Sequence, residues 1–90
     1  MRMQTDGSIE VLRLAELIAH ELRAGGKGDI RVIGWIGSTG HGGTEYAVEV
    51  GGKTTALEVG DDDIRAFPTD HHARLRVGKR IRRQMLGLLD

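Results

Sequence analysis

The chain has 90 residues, no Cys, only three aromatic residues and a formal net charge of zero. This length predicts one domain spanning residues 1–90. The lack of Cys excludes disulfides, thiol catalysis and iron–sulfur ligation, and the low aromatic content argues against a deep aromatic-walled ligand pocket. No apolar run exceeds three residues, so we expect no membrane insertion and take a cytoplasmic location as the simplest assumption.

The N-terminal third of the chain predicts one amphipathic helix. Residues 1–7 are polar and are expected to be a loose N-terminus. Ser8 is the expected N-cap of a helix over residues 8–24, and Gly25-Gly26 ends it. Apolar residues recur at spacings of three and four along the predicted core face, which comprises Val11, Leu14, Ala15, Ile18, Ala19 and Leu22.

The apolar period changes to two after this helix, which predicts a strand over residues 29–37. A glycine-rich loop over residues 37–43 then connects it to the next strand. Strict alternation assigns Ile30, Val32, Gly34 and Ile36 to one face, and Arg31, Ile33 and Trp35 to the other.

A β-hairpin is the clearest element of the sequence. Residues 44–50 and 53–59 flank Gly51-Gly52, a two-residue turn that type I′ hairpins prefer. Two-residue closure fixes the register, and the apolar pairs then fall on one face. The predicted pairs are Val48–Thr55, Tyr46–Leu57 and Thr44–Val59 on that face, with Ala47–Ala56 and Glu45–Glu58 on the other.

The last third of the chain predicts a turn over residues 61–67 and a helix over residues 70–89, capped by Thr69 or Asp70. The apolar stripe of this helix consists of Val77, Ile81, Met85 and Leu88. An alternative remains open, because residues 72–77 also alternate and could form a fourth strand. The predicted fold class is therefore α+β, in the order α-β-β-β-α, with a three-stranded antiparallel sheet and two helices packed on one face.

The last helix carries the main basic cluster. Residues 71–90 have six Lys and Arg against one Asp, a net charge of +5, whereas residues 1–70 have seven against twelve, a net charge of −5. Cations on one helix face can neutralise several phosphates. They can equally form a solvated face paired with the protein's own carboxylates. The candidate nucleic-acid contacts are Arg76, Lys79, Arg80 and Arg83.

The α-β-β-β-α order, Gly40-His41 in the loop between the first two strands and the basic second helix together resemble the double-stranded RNA-binding domain. The resemblance implies a groove contact from His41 and phosphate contacts from the basic helix. The loop has no Gly-Pro pair, and Asp61-Asp62-Asp63 stand where that family has cations, so the likeness is one of topology.

The sheet face that the helices leave open is the leading candidate site for a partner. Trp35 and Ile33 are expected to be exposed there, and a large aromatic residue on a solvated sheet often marks a protein contact. Glu45 faces Glu58, with Glu49 nearby, which is unfavourable unless a cation intervenes. Arg31 is the natural internal partner of these carboxylates, and a basic surface of another protein is the alternative.

Two other groups of residues have the chemistry of ligands or catalysts. Asp61 to Asp63 and His71-His72 are metal-ligand types, but their spacing does not match a calcium loop, and helix capping accounts for the carboxylates. Ser38 and His41 lie in the glycine-rich loop without a Walker pattern or the acid of a catalytic triad. We therefore expect no metal, no cofactor and no enzymatic activity.

The leading functional hypothesis is a small non-enzymatic interaction protein of adaptor or inhibitor type. Its partner would be a larger protein or a protein–nucleic acid assembly, bound through the open sheet face. The alternative is a nucleic-acid-binding module that uses the basic helix. A homodimer is also left open, because an uncovered face or an unpaired edge strand can self-associate.

Overall fold

The computed structural model describes residues 7–90, so the predicted loose N-terminus lies outside the described residues except for Gly7. The three strands form one antiparallel sheet in the order β1-β2-β3. The elements are α1 (Ser8–Ala24), β1 (Ile30–Ser38), β2 (Gly43–Val50), β3 (Lys53–Gly60), α2 (Asp61–Ala66) and α3 (His71–Leu89). The predicted α+β class is confirmed.

The first helix has the predicted bounds but not the predicted cap. Ser8 is its first residue, and the capping residue is Gly7, which provides no side-chain hydrogen bond. The Gly7 N–H instead donates to the carbonyl of Ile64 at 2.7 Å, so the start of α1 is tied to α2. The predicted Ser8 cap is wrong because this contact with a distant segment fixes the start of the helix.

The hairpin of β2 and β3 has the predicted register at every pair. Gly51 and Gly52 both have positive φ angles, 57° and 87°, as a type I′ turn requires. Side chains with a Cβ avoid this conformation, so the two glycines fix the turn and the turn fixes the pairing.

The core lies on one face of the sheet. Tyr46 pairs with Leu57 in the ladder, and both side chains are fully buried beneath the helices. The Tyr46 hydroxyl donates to the carbonyl of Ser8 at 3.1 Å, which joins β2 to the start of α1. Helix α1 packs mainly on β1, and α3 packs on α1, α2 and β3. The helices contribute Val11, Ala15, Ile18, Ala19, Leu22, Ile64, Val77, Ile81 and Met85 to the same core.

Helix α3 is continuous from His71 to Leu89, which excludes the alternative fourth strand over residues 72–77. Asp70 caps it by accepting a hydrogen bond from the His72 N–H at 2.9 Å, as predicted. The predicted turn over residues 61–67 is a short helix, α2, that begins directly after β3. Its first turn holds three Asp residues, where negative charge is favoured by the helix dipole.

The outer edge of β3 is covered by polar side chains of α3. Gln84 accepts a hydrogen bond from the Glu58 N–H at 3.0 Å and donates to the Glu58 carbonyl at 2.8 Å. Arg80 donates to the same carbonyl at 2.8 Å. These bonds satisfy backbone groups that an edge strand otherwise presents to other chains.

None of the helices within residues 7–90 combines the length and the apolar character needed to cross a membrane.

Replacing Gln84 with Ala is expected to lower the free energy of unfolding by about 1–2 kcal/mol, because the Glu58 N–H loses its acceptor at a half-buried site. Urea unfolding followed by circular dichroism measures this change. Arg83→Ala is the matched control, an exposed neighbour on α3 that should change stability by less than about 0.5 kcal/mol. Equal stabilities of the two variants would show that the edge contact contributes nothing.

Candidate functional site

Strand β1 contains two bulges that strict alternation did not predict. Ile33 and Ile36 have no partner residue in the ladder with β2. An unpaired extra residue of this kind bends the strand and shifts the alternation by one position. Gly37, which follows the second bulge, has a φ of 146°, a value that favours glycine. The pairs flanking the bulges are Val32–Val48, Gly34–Ala47, Trp35–Tyr46 and Gly37–Glu45.

The first bulge moves Trp35 to the side of the sheet that carries the helices. Directly paired residues share a face, and the partner of Trp35 is Tyr46, which is buried in the core. The predicted position of Trp35 on the open face is therefore wrong, although its predicted exposure is correct at 59%. It borders a depression of about 230 Å³ together with Ser8, Ile9 and Leu12 at the start of α1.

The bulges leave three large apolar side chains of β1 in solvent. Ile33 is 58% exposed and Ile36 is 51% exposed, beside the exposed Trp35. Ile36 was expected to point into the core, and the shift in alternation at the first bulge accounts for this error. Ile33 and Ile36 each follow a residue on the core side, Val32 and Trp35, so the pleat directs them to the open face. Trp35 and Ile9 lie on the helix side of this edge strand, and Ile33 and Ile36 lie on its open side. We call these four residues, on the two sides of β1, the β1 surface.

The open face next to the β1 surface is acidic. Glu45 lies directly opposite Glu58 in the ladder, and Glu49 lies opposite Arg31. The guanidinium of Arg31 nevertheless pairs with Asp29, at 3.4 Å between Nε and Oδ1. Within residues 7–90, no cation lies within ion-pairing distance of Glu45, Glu49 or Glu58. The predicted internal neutralisation by Arg31 is therefore not formed, and these half-buried glutamates have no cationic partner among the described residues.

The predicted basic stripe of α3 is divided by its contacts. Arg76 pairs with Asp63 at 2.9 Å, and this hydrogen bond and the charge of Asp63 raise the pKa of the Arg76 guanidinium above its ordinary value. Arg80 is held by the Glu58 carbonyl. Lys79 and Arg83 are exposed and have no partner among the described residues. Two of the four predicted nucleic-acid contacts are thus engaged within the protein.

The loop that carries His41 is hydrogen-bonded to the start of α2, where Asp61 lies. The carbonyl of Gly42, the next residue, accepts a hydrogen bond from the Asp61 N–H at 2.8 Å. The Asp61 carboxylate in turn accepts a hydrogen bond from Thr44 at 2.7 Å. This acidic neighbour repels a phosphate backbone at the position where the resemblance to the RNA-binding family requires attraction.

The residues with metal-ligand or catalytic chemistry have structural contacts. Ser38 and Thr39 accept hydrogen bonds from the N–H groups of Gly40 and His41, at 3.1 Å and 3.0 Å, which shape the loop. Within residues 7–90, no group of three or more potential ligands is arranged to hold a metal ion. Each adjacent Asp has a protein donor: Thr44 for Asp61, Arg65 for Asp62 and Arg76 for Asp63.

Comparisons of this chain with protein-family models, with curated proteins and with solved structures give no match.

Several exposed apolar residues were not predicted from the sequence. Ile9 and Ile36 complete the β1 surface, while Leu17 and Leu75 are at least half exposed on α1 and α3. Leu17 does not follow the apolar periodicity of α1, and Leu75 does not belong to the apolar stripe of α3. The sequence pattern therefore indicated that neither residue packs in the core. For the two bulges the sequence gives only a weaker indication, namely the isolated glycines within the strand.

Because Trp35 is the only Trp, its fluorescence tests the geometry of β1 directly. The native emission maximum should lie close to that of the urea-unfolded chain, and acrylamide should quench both states to a similar extent. An emission that is blue-shifted and protected in the native state would place the indole in the core and contradict the 59% exposure of Trp35.

Proposed function

We propose that this chain is a small non-enzymatic interaction protein of adaptor or inhibitor type, working in the cytoplasm. It binds a larger protein, alone or assembled with nucleic acid, through the β1 surface and the adjoining acidic face. The observation that carries this proposal is the exposure of more than half of each of Ile33, Trp35 and Ile36 on one edge strand. Exposed apolar clusters with polar surroundings are typical of protein-binding surfaces.

The chemistry of the surface indicates the kind of partner. Trp is among the residues that contribute most to interfaces when it is buried by a partner. Glu45 and Glu58 repel each other across the ladder, and a cation from the partner would turn this repulsion into attraction. The partner surface we propose is therefore apolar at its centre and carries Lys or Arg at its margin.

Binding to nucleic acid is the alternative, and one observation favours it. Lys79 and Arg83 have no partner within the described residues, and together with Arg82 they line one exposed depression of α3. The engaged Arg76 and the carboxylate beside the His41 loop reduce the cationic surface that this alternative requires. We therefore rank it second.

The proposal is tested by affinity capture from the host with three forms of the chain, followed by reconstitution with the purified partner. We expect wild type to retain a protein partner and Trp35→Ala to lose at least about tenfold in affinity, because the largest apolar contact is removed. His20→Ala, an exposed change on α1, should bind as wild type does.

Each alternative gives a different result in the same experiment. Retention of nucleic acid that survives Trp35→Ala and is lost in Lys79→Glu/Arg83→Glu would replace the proposal with the alternative. Sedimentation of the purified chain as a dimer that Trp35→Ala dissociates would assign the β1 surface to self-association.

A further inference from the structure

A second apolar surface lies away from the β1 surface, in the groove between α1 and α3. The groove has a volume of about 450 Å³, and Leu14 and Leu17 line it from α1 while Leu75 and Gly78 line it from α3. Leu17 and Leu75 each expose at least half of their surface. Gly78 keeps the groove open, because its nearest neighbour, a methyl group of Leu14, is 3.9 Å from where a Cβ would stand.

The groove continues along α3. Lys79 and Arg82 line both the groove and a second depression that ends at Leu86. Leu75, Lys79, Arg82 and Leu86 stand four, three and four positions apart, so they form one stripe on the helix surface. The stripe spans about three helical turns, or about 16 Å. Its two ends are apolar and its middle is cationic.

The cations in the middle of this stripe are available to bind a partner. The Lys79 ammonium has no carboxylate within ion-pairing distance among residues 7–90. Arg82 donates to Glu21, on the α1 side of the groove, at 2.9 Å, and both side chains are about half exposed. An exposed pair of this kind contributes little to stability and can be exchanged for a partner's carboxylate.

We propose that this groove binds an acidic amphipathic helix of a protein partner. A groove between two helices accepts the apolar face of a third helix, with anchors at helical spacing. The bound helix would place apolar residues over Leu17 and Leu75 at one end and over Leu86 at the other. Its carboxylates would lie between these anchors, against Lys79 and Arg82.

The other occupants match the stripe less well. Helix α3 carries six Lys and Arg and no Asp or Glu, so the same face of a second copy would be repelled. Nucleic acid would use the cations but leave the exposed leucines in water. The groove does not involve the β1 surface, so this inference does not rest on the function proposed above.

The test uses two synthetic amphipathic helices of about four turns with the same Leu stripe, one with Glu and one with Lys between the Leu anchors. Fluorescence anisotropy of the labelled peptides at about 0.15 M salt measures binding. We expect saturable binding of the Glu peptide and at least about tenfold weaker binding of the Lys peptide. Lys79→Glu should reduce this difference by strengthening the Lys peptide and weakening the Glu peptide.

Gly78→Leu fills the groove and should abolish binding of the Glu peptide while the chain remains folded, since Leu favours a helix more than Gly does. Circular dichroism checks the folding of this variant. Lys27→Glu, a charge reversal outside the groove, and Trp35→Ala should leave binding unchanged.

Several results would overturn the proposal. Equal affinity for the two peptides, no binding of either, or binding that survives Gly78→Leu would show that the groove is not the site. An RNA duplex that binds through Lys79 and Arg82 and is unaffected by Gly78→Leu would assign the cations to nucleic acid. Sedimentation of a dimer that Gly78→Leu dissociates would assign the groove to a second copy.

Discussion

The structure depends on a core that lies on only one side of its sheet. Tyr46, Val48 and Leu57 form the buried face of the hairpin, and all three helices contribute to the same core. A short chain with a single small sheet satisfies its burial requirement in this way, and no described element is left to cover the opposite face. The open acidic face and the groove between the two long helices are both consequences of this arrangement.

The two edges of the sheet are protected from pairing with a further strand in different ways. The β3 edge is covered by Gln84 and Arg80, which bind the backbone of Glu58. The β1 edge instead contains two bulges, and bulges discourage direct pairing with a further strand. They also turn Ile33 and Ile36 outward. The same irregularity therefore limits edge-to-edge aggregation and presents apolar side chains to a partner.

Much of the fold could be predicted because it is encoded by local rules. The Gly51-Gly52 turn determined the hairpin register, and helical spacing located the two long helices, as the structure shows. The positions of Trp35 and Ile36 could not be predicted, because a bulge depends on how β1 fits a second strand. The contacts of Arg76 and Arg80 were equally hidden, since their partners lie 13 and 22 positions away along the chain.

The structure shows which of the acidic and basic side chains of the sequence are paired with each other. Asp63 and Glu21 pair with Arg76 and Arg82, while Glu45, Glu49 and Glu58 are not paired on the sheet. The open sheet face and the groove between α1 and α3 are therefore two distinct surfaces, each combining exposed apolar side chains with charged ones.

The one-sided core and the bulged strand can be tested together by NMR of methyl groups in the presence of a soluble paramagnetic agent. This arrangement predicts strong relaxation enhancement for the methyl groups of Ile33 and Ile36, and protection for those of Ile30, Val48 and Leu57. Protection of Ile33 and Ile36 equal to that of the core residues would contradict it.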